Sequence, residues 1–275
     1  MFVGFHPEIP DGHLLRNLFT SYKIKGGLKM TITEYDVEIP RHTDEMDQNE
    51  EWIKVITDKG EKKLLIHDYA NVYKIPGLYE EVVYDRLKCC SPEVVCDTLE
   101  KIMDESDGPL NVLDFGAGNG IVAEHLRERF ACEAVIGLDI IPEAKEAAER
   151  DRPEVYDDYY VMDLSEINAS QARRLENWNL NSLVTVAALG FGDIPAKAFV
   201  NAFNLVQEGG WVAFNIKDRF MSSDDDTGYH DTIEAMIGDS LEVMQRTRYC
   251  HRMSVTGEPL HYYAIAGRKL ADVPT

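Results

Sequence analysis

Three glycines stand at alternate positions in the segment NVLDFGAGNG, behind an apolar run that ends in Asp114. The run predicts a buried strand over Leu110–Phe115, and the pattern after it predicts a helix from Ile121. Glycines at such a turn let a ligand lie against bare backbone, and a helix N-terminus favours an anionic group. We therefore expect a ligand site at the carboxyl end of this strand. A tight strand-to-helix turn without a ligand is the alternative.

The spacing of these glycines is G-x-G-x-G, whereas a dinucleotide fingerprint is G-x-G-x-x-G. Ile121 occupies the position of the last fingerprint glycine, which makes a nicotinamide cofactor less favoured. Asp139 ends the next predicted strand, and a carboxylate there can accept both hydroxyls of a ribose. Helix capping is the other use of such a residue. Pro142 suits the first helical position and makes Ile141 the cap, so we predict ribose binding by Asp139.

Asp163 ends the third predicted strand, in the segment YVMDLSEI. Its carboxylate can accept the amino group of an adenine, and the Leu164 amide can donate to a ring nitrogen. A turn-initiating Asp is the competing interpretation.

The pattern is helical from about Asp68, with a break at Pro76-Gly77, and strand-like and helical segments alternate after Gly108-Pro109. This alternation predicts an α/β fold with a doubly wound, mostly parallel sheet covered on both faces. The nearly continuous apolar strands fit burial on both faces. Two long strand-like runs close the chain around a turn at residues 256–259, which predicts a terminal antiparallel hairpin.

The glycine motif, the segments GLDI and VMDL and the terminal hairpin together resemble a class I S-adenosylmethionine-dependent methyltransferase over residues 68–269. The resemblance implies a seven-stranded sheet whose last strand is antiparallel. It also implies that the glycine loop cradles the methionine part of S-adenosylmethionine, with Asp114 near its amino group, Asp139 at the ribose and Asp163 at the adenine. The cofactor-binding residues expected on this basis are Asp114, Gly116, Ala117, Gly118, Asp139, Ile140, Asp163, Leu164 and Leu189. A weaker likeness, in Y…IPGLYE, is to type-11 small-molecule methyltransferases, including the Williams–Beuren-region relatives.

The charge balance restricts the partners. Lys and Arg number 28 against 49 Asp and Glu, a net charge of −21. Such a surface repels phosphate backbones and anionic lipid, so nucleic acid and membrane are not expected as partners. The five cysteines contain no CxxC, and no metal site is expected. Reduced thiols and the lack of a signal peptide or an apolar span predict a cytoplasmic protein.

The first 65 residues differ from the rest, and we predict that residues 1–65 form a β-rich N-terminal extension before a methyltransferase domain at 66–275. A hairpin is expected around Asp58-Lys59-Gly60. The acidic segment RHTDEMDQNEE is interpreted as an exposed loop. Met30 is considered as a natural start, with residues 1–29 a poorly packed extension.

A sulfonium already activates its methyl group, so the enzyme mainly aligns donor and acceptor for an in-line displacement in a dry pocket. A base is needed only for a protonated acceptor, so the catalytic residues stay unassigned, with His67 and His230 as possible bases. The segment ALGFGDIP lacks the Asn/Asp-Pro-Pro-Tyr of families that methylate amide or base nitrogens, which favours a small-molecule acceptor. Expected acceptor-site residues are Tyr69, Tyr73, Tyr79, Asp193 and Lys217. The oligomeric state is not predicted.

Two other functions remain open at this point. The first is a protein that binds S-adenosylmethionine or S-adenosylhomocysteine without catalysis, in which residues 1–65 serve as an interaction module. The second is a nicotinamide oxidoreductase. Calorimetry with S-adenosylhomocysteine and NAD separates the second from the methyltransferase, and an assay of methyl transfer separates the first.

Overall fold

The structure, a computed structural model, describes residues 34–40 and 46–274. The expectations for residues 1–29 and for Met30 lie outside these residues. The described chain forms a small antiparallel sheet, a short helical segment and a large α/β unit.

The small sheet has three antiparallel strands in the order β1-β2-β3. They are β1 (Tyr35–Glu38), β2 (Trp52–Thr57) and β3 (Gly60–Leu65). Thr57 pairs with Gly60 across the turn, which confirms the predicted hairpin. The sheet places Val37, Ile53, Val55 and Leu64 in a core that it shares with the helical segment that follows.

The helical segment holds the tyrosines near the start of the large unit. It comprises α1 (Tyr69–Tyr73), α2 (Leu78–Glu80) and a π-helix (Glu81–Arg86). The helical segment is interrupted at Pro76-Gly77, where Gly77 has a φ of +77°. We call Tyr69–Arg86 the tyrosine segment, because the rings of Tyr69, Tyr73 and Tyr79 pack together in it.

The large sheet has seven strands in the order β6-β5-β4-β7-β8-β10-β9. The strands are β4 (Leu110–Phe115), β5 (Cys132–Asp139), β6 (Asp158–Val161), β7 (Ser182–Thr185), β8 (Trp211–Lys217), β9 (Leu241–Met253) and β10 (Pro259–Lys269). Strands β4 to β8 pair in parallel, whereas β10 is antiparallel to both β8 and β9. The predicted mixed sheet with a terminal hairpin is confirmed.

Helices lie on both faces of this sheet. They are α3 (Ser91–Glu100), α4 (Ile121–Arg129), α5 (Pro142–Asp151), α6 (Ala169–Glu176), α7 (Ala196–Asn204) and α8 (Tyr229–Met236). Successive residues of β4 face opposite sides of the sheet. Leu113 packs in the core with α7, and Val112 packs in the core with α3 and α4. Burial on both faces is therefore the reason why these strands read as continuous apolar runs.

The start of α3 differs from its local sequence pattern. Ser91 before Pro92 is typical of an N-cap, but Ser91 is the first helical residue and Cys90 holds the cap position. The Ser91 hydroxyl is instead hydrogen-bonded to Tyr249 and His251 on β9. The Ser91 side chain therefore makes tertiary hydrogen bonds and does not cap α3.

Candidate active site

The glycine loop joins β4 to α4. Gly116, Gly118 and Gly120 all have positive φ angles, of +76°, +53° and +86°. The left-handed region favours glycine, so this sharp turn accounts for all three residues. The Gly118 amide donates to Asp139 Oδ2 at 2.9 Å, and its carbonyl accepts from the Tyr159 hydroxyl at 2.9 Å. These two hydrogen bonds attach the glycine loop to Asp139 at the end of β5 and to Tyr159 on β6.

Asp114 is completely buried at the end of β4. Its Oδ2 accepts from the Tyr156 hydroxyl at 2.7 Å, whereas its Oδ1 has no partner among the described residues. Burial raises the pKa of Asp114 to about 7, and the negative charge of Asp139 adds to the rise. A buried carboxyl oxygen that lacks a donor is suited to receive one from a ligand.

Asp139 lies at the tip of β5. Its Oδ1 accepts from the Ile141 amide at 3.0 Å, so the carboxylate has a local role although Ile141 is the cap of α5, as predicted. Each oxygen accepts one backbone bond and retains a lone pair. Burial raises the pKa of Asp139, and these backbone bonds oppose the rise. The neighbouring Ile140 is 55% exposed and presents an apolar surface beside the Asp139 carboxylate.

Asp163 is exposed after β6, and its Oδ1 accepts from the Ser165 amide at 2.7 Å. This bond caps a short 3₁₀ turn at Leu164–Glu166, which is the turn-initiating role that competed with adenine binding. Leu164 is buried in the core. Both residues follow β6, the strand that pairs with β5, which ends at Asp139.

Tyr73 and Ala188 lie close to the glycine loop. A Cβ at position 118 would lie 2.5 Å from the Tyr73 hydroxyl oxygen, and one at position 116 would lie 2.5 Å from the Ala188 Cβ. Burial is the main cause that raises the pKa of the Tyr73 hydroxyl, and Tyr79 and the charge of Asp139 raise it further. The bare glycines, the Asp139 carboxylate and the unpartnered Asp114 oxygen fit a nucleoside with an amino acid tail, provided that the Tyr73 side chain moves aside.

A cavity lies beside the loop. It has a volume of about 30 Å³, which is room for about one water molecule. The cavity is lined by the small sheet, the tyrosine segment, the turn after β7 and the terminal hairpin. Its walls are Gln48, Ile66, His67, Tyr69, Tyr79, Val83, Ala187, Ala188, Leu189, Phe191, Asp193, His251, Arg252 and Tyr262. We call it the acceptor cavity.

Predicted residues divide between the two spaces. Tyr69, Tyr79 and Asp193 line the acceptor cavity, and so does Leu189, which was expected at the cofactor. Tyr73 instead reaches the glycine loop. Lys217 is half-buried, with its Nζ 4.9 Å from the centre of the Phe191 ring.

His67 and Asp193 face each other across the cavity, with His67 Nδ1 3.6 Å from Asp193 Oδ2. Burial lowers the pKa of His67 to about 4, helped by the positive charges of Arg252 and Lys217. Burial raises the pKa of Asp193 to about 6, with a contribution from Asp139. His67 is therefore neutral and Asp193 mostly ionised at neutral pH. The other predicted base, His230, lies on α8 and is not a lining residue.

The cavity contains residues that the sequence did not reveal. The segment RHTDEMDQNEE was interpreted as an exposed loop, but Gln48 and Glu51 are buried. Gln48 Nε2 donates to the Tyr262 hydroxyl at 3.0 Å, and Glu51 forms an ion pair with the buried Arg252. The acidic composition of the segment concealed this, because the partners lie more than 200 residues away on the terminal hairpin.

The turn after β7 is strained. Ala187 and Phe191 have positive φ angles, of +55° each, without being glycine. The Ala187 amide donates to Asn215 Oδ1 at 2.6 Å, which helps to hold the turn. Strain of this kind is concentrated at functional sites, and here it lies in the wall of the acceptor cavity.

A family model described as a methyltransferase domain matches residues 90–253, which is more than half of the chain. The chain therefore belongs to this methyltransferase family. The predicted class I methyltransferase is confirmed, and its cofactor is S-adenosylmethionine. The likeness to Williams–Beuren-region relatives stays a prediction.

Solved structures with a similar fold include three of interest. The N-methyltransferase NodS from Bradyrhizobium japonicum, in complex with S-adenosyl-L-homocysteine, is 14% identical, with coverage of 74% of this chain and 97% of that one and a TM-score of 0.49. A methyltransferase from Mesorhizobium loti is 15% identical, with 62% and 95% coverage and a TM-score of 0.44. The [4+2]-cyclase SpnF is 11% identical, with 66% and 80% coverage and a TM-score of 0.46. No curated protein sequence matches the chain significantly.

No group of three or more His, Cys, Asp or Glu side chains in residues 34–40 and 46–274 is arranged to hold a metal ion. In the same residues, no helix has the length and apolar character to cross a bilayer.

Proposed function

We propose that this protein transfers a methyl group from S-adenosylmethionine to a small molecule bound in the acceptor cavity. The observation that carries the proposal is that the acceptor cavity lies next to the glycine loop. Ala188, which lines the acceptor cavity, lies against Gly116 of the glycine loop. A donor on the loop and an acceptor in the cavity would then be neighbours.

The cofactor supplies a methyl group activated on a sulfonium. Of the residues predicted to hold it, Asp139 would accept the ribose hydroxyls, Gly116, Ala117 and Gly118 would leave room along the loop, and Asp114 would receive the amino group. Ile140, Asp163 and Leu164 would border the adenine. These assignments follow the carboxylate positions at the tips of β4, β5 and β6.

The acceptor cavity supports a small, partly aromatic and polar acceptor. Tyr69, Tyr79 and Phe191 provide apolar ring surface, while His67 and Asp193 provide polar contacts. We place Lys217 at the border of this site, through its contact with Phe191. Enclosure by the tyrosine segment excludes water, which would otherwise compete as an acceptor.

The division into an extension at 1–65 and a domain at 66–275 stays part of the proposal. Gln48, in the 3₁₀ turn before β2, belongs to the extension and borders the cavity. We infer that the extension forms a wall of the acceptor site and is not a separate interaction module.

The test of this function is Asp139→Ala. Loss of the ribose contact should weaken S-adenosylhomocysteine binding at least tenfold, about 1.4 kcal/mol, by isothermal titration calorimetry. Asp239→Ala, in an exposed turn, is the control and should bind like the wild type. Equal affinity for the two variants would contradict the assignment of Asp139.

A non-catalytic cofactor-binding protein is the second candidate, because the acceptor cavity is closed to a volume of about 30 Å³. Labelled S-adenosylmethionine incubated with a metabolite extract distinguishes the two functions. Transfer of label to a metabolite supports the enzyme. Binding of S-adenosylhomocysteine without any transfer supports the second candidate.

Cofactor binding should also depend on pH through Asp114. Its pKa is raised to about 7, so about half of the carboxyl groups are neutral at that pH. The ionised form attracts the cofactor's ammonium group, so affinity should rise as the pH increases from 6 to 8 and the carboxyl loses its proton. Calorimetry across this range should show the rise in the wild type and a flat profile in Asp114→Asn. A wild-type profile that is also flat would place the ammonium group elsewhere.

A further inference from the structure

The acceptor cavity needs an exit for a proton. If the acceptor carries its hydrogen on the atom that is methylated, that proton is released inside a cavity with room for about one water molecule. A buried positive charge without a partner is costly. A base that is connected to the surface by hydrogen bonds would remove it.

His251 is the cavity residue from which a chain of hydrogen bonds leads to a partly exposed residue, Tyr249. His251 is buried on β9, and its ring lies 4.1 Å from that of Tyr262. Its Nδ1 lies 2.5 Å from the Ser91 hydroxyl oxygen, so Nε2 is the ring nitrogen left for the cavity. Burial lowers the pKa of His251, as do the neighbouring Arg252, Lys217 and His67, so the ring is neutral before the reaction.

The hydrogen bonds continue from Ser91 to Tyr249. The two hydroxyl oxygens lie 2.6 Å apart, and Tyr249 is only partly buried. Asn215 orders this pair: its Oδ1 accepts from the Ala187 amide, so its Nδ2 donates to Ser91 at 3.0 Å and to Tyr249 at 2.7 Å. Each hydroxyl thus has one lone pair filled by Asn215 and remains free to donate its own proton.

The other cavity histidine lacks this arrangement. His67 Nδ1 lies 3.6 Å from Asp193 Oδ2, which is beyond hydrogen-bond length. His67 and Asp193 can therefore orient an acceptor, whereas His251 has an unbroken chain of hydrogen bonds that leads away from it.

We propose that His251 is the general base for a protonated acceptor and that Ser91 and Tyr249 carry the proton from it to solvent. This proposal rests on the proposed methyltransferase function. As the acceptor atom forms its bond to the methyl group and the methyl–sulfur bond breaks, the acceptor's proton passes to His251 Nε2. The Nδ1 proton moves to Ser91, the Ser91 proton moves to Tyr249, and the Tyr249 proton goes to water. Charge and protons balance. His251 is left protonated on Nε2, and after the product departs this nitrogen gives its proton to water while Nδ1 regains one through Tyr249 and Ser91.

The first test is the tautomer of His251 in the protein bound to S-adenosylhomocysteine. Nitrogen-15 NMR of the imidazole rings, assigned with His251→Gln, should show a proton on Nδ1 and none on Nε2. Ser91→Ala should change the balance of the two tautomers. A proton on Nε2 in the wild type would overturn the proposal, because that nitrogen could then not accept one.

The second test follows methyl transfer from labelled S-adenosylmethionine to the metabolite extract. His251→Gln should lower the rate about 100-fold, within the usual range for a general base. Tyr249→Phe, which removes one hydroxyl and leaves the Ser91–His251 bond, should lower it at least tenfold with unchanged S-adenosylhomocysteine affinity. Tyr263→Phe on β10 is the matched control and should retain the wild-type rate.

The outcomes of the two tests separate the claims. Unchanged transfer by Tyr249→Phe would overturn the relay. A wild-type protein that binds S-adenosylhomocysteine but transfers no methyl group would contradict the proposed function, whereas the tautomer of His251 would still be decided by NMR.

Discussion

Replacement of Glu51 by Gln is expected to lower the free energy of unfolding by about 3–5 kcal/mol, because it leaves the Arg252 guanidinium as a buried charge without its counterion. Glu51 is 1% exposed and Arg252 is 3% exposed. Glu51 Oε1 also accepts from the Val255 amide at 2.8 Å, so the carboxylate is bound on both oxygens. Urea denaturation followed by circular dichroism measures the loss.

The matched control is Glu61→Gln on the same small sheet. Glu61 and Lys54 form an exposed ion pair at 3.3 Å, and such pairs contribute about 0–1 kcal/mol. The double variant Glu51→Met with Arg252→Met should regain much of the lost stability, because it removes both charges. A loss as small for Glu51→Gln as for Glu61→Gln would show that Arg252 is solvated.

Gly118→Ala is expected to weaken S-adenosylhomocysteine binding at least 100-fold, about 2.7 kcal/mol. The new Cβ would contact the Tyr73 hydroxyl at 2.5 Å and fill the space along the loop where a ligand would lie. The φ of +53° adds backbone strain of about 1–2 kcal/mol. Calorimetry measures the affinity, and thermal unfolding measures the strain.

Gly257→Ala provides the comparison for this variant. Gly257 has a φ of +88°, and no atom lies within 4 Å of a Cβ placed there. Both variants should lose stability from backbone strain, Gly118→Ala the more because of its contact with Tyr73, whereas only Gly118→Ala should lose affinity. Retained affinity in Gly118→Ala would mean that the ligand does not approach this part of the loop.

The local parts of the site were predictable from sequence because they depend on neighbours in the chain. The glycine loop and the carboxylates at the strand tips follow from the alternation of strands and helices, which brings consecutive tips to one edge. The strand Leu110–Phe115 has the predicted bounds, and α4 begins at the predicted Ile121. The spacing of apolar residues and the positions of turn residues locate these elements within short stretches of sequence.

The acceptor cavity was only partly predictable because its polar residues are defined by distant partners. His251 stands in a strand of alternating exposure, and nothing near it marks a hydrogen bond to Ser91, 160 residues earlier. Glu51 lies in an acidic run, where an exposed loop is the ordinary expectation. The tyrosines were located by their helical spacing, but the spacing did not distinguish Tyr73, on the glycine loop, from Tyr69, in the cavity.

The enclosure of the acceptor cavity has a consequence for turnover. With room for about one water molecule, the cavity admits an acceptor only after part of its wall is displaced. Tyr73 likewise has to leave the glycine loop before a nucleoside can lie there, and both obstacles belong to the stretch on either side of Gly77. We expect one excursion of this stretch to admit both reactants, so that the dimensions of the acceptor are dictated by the open form.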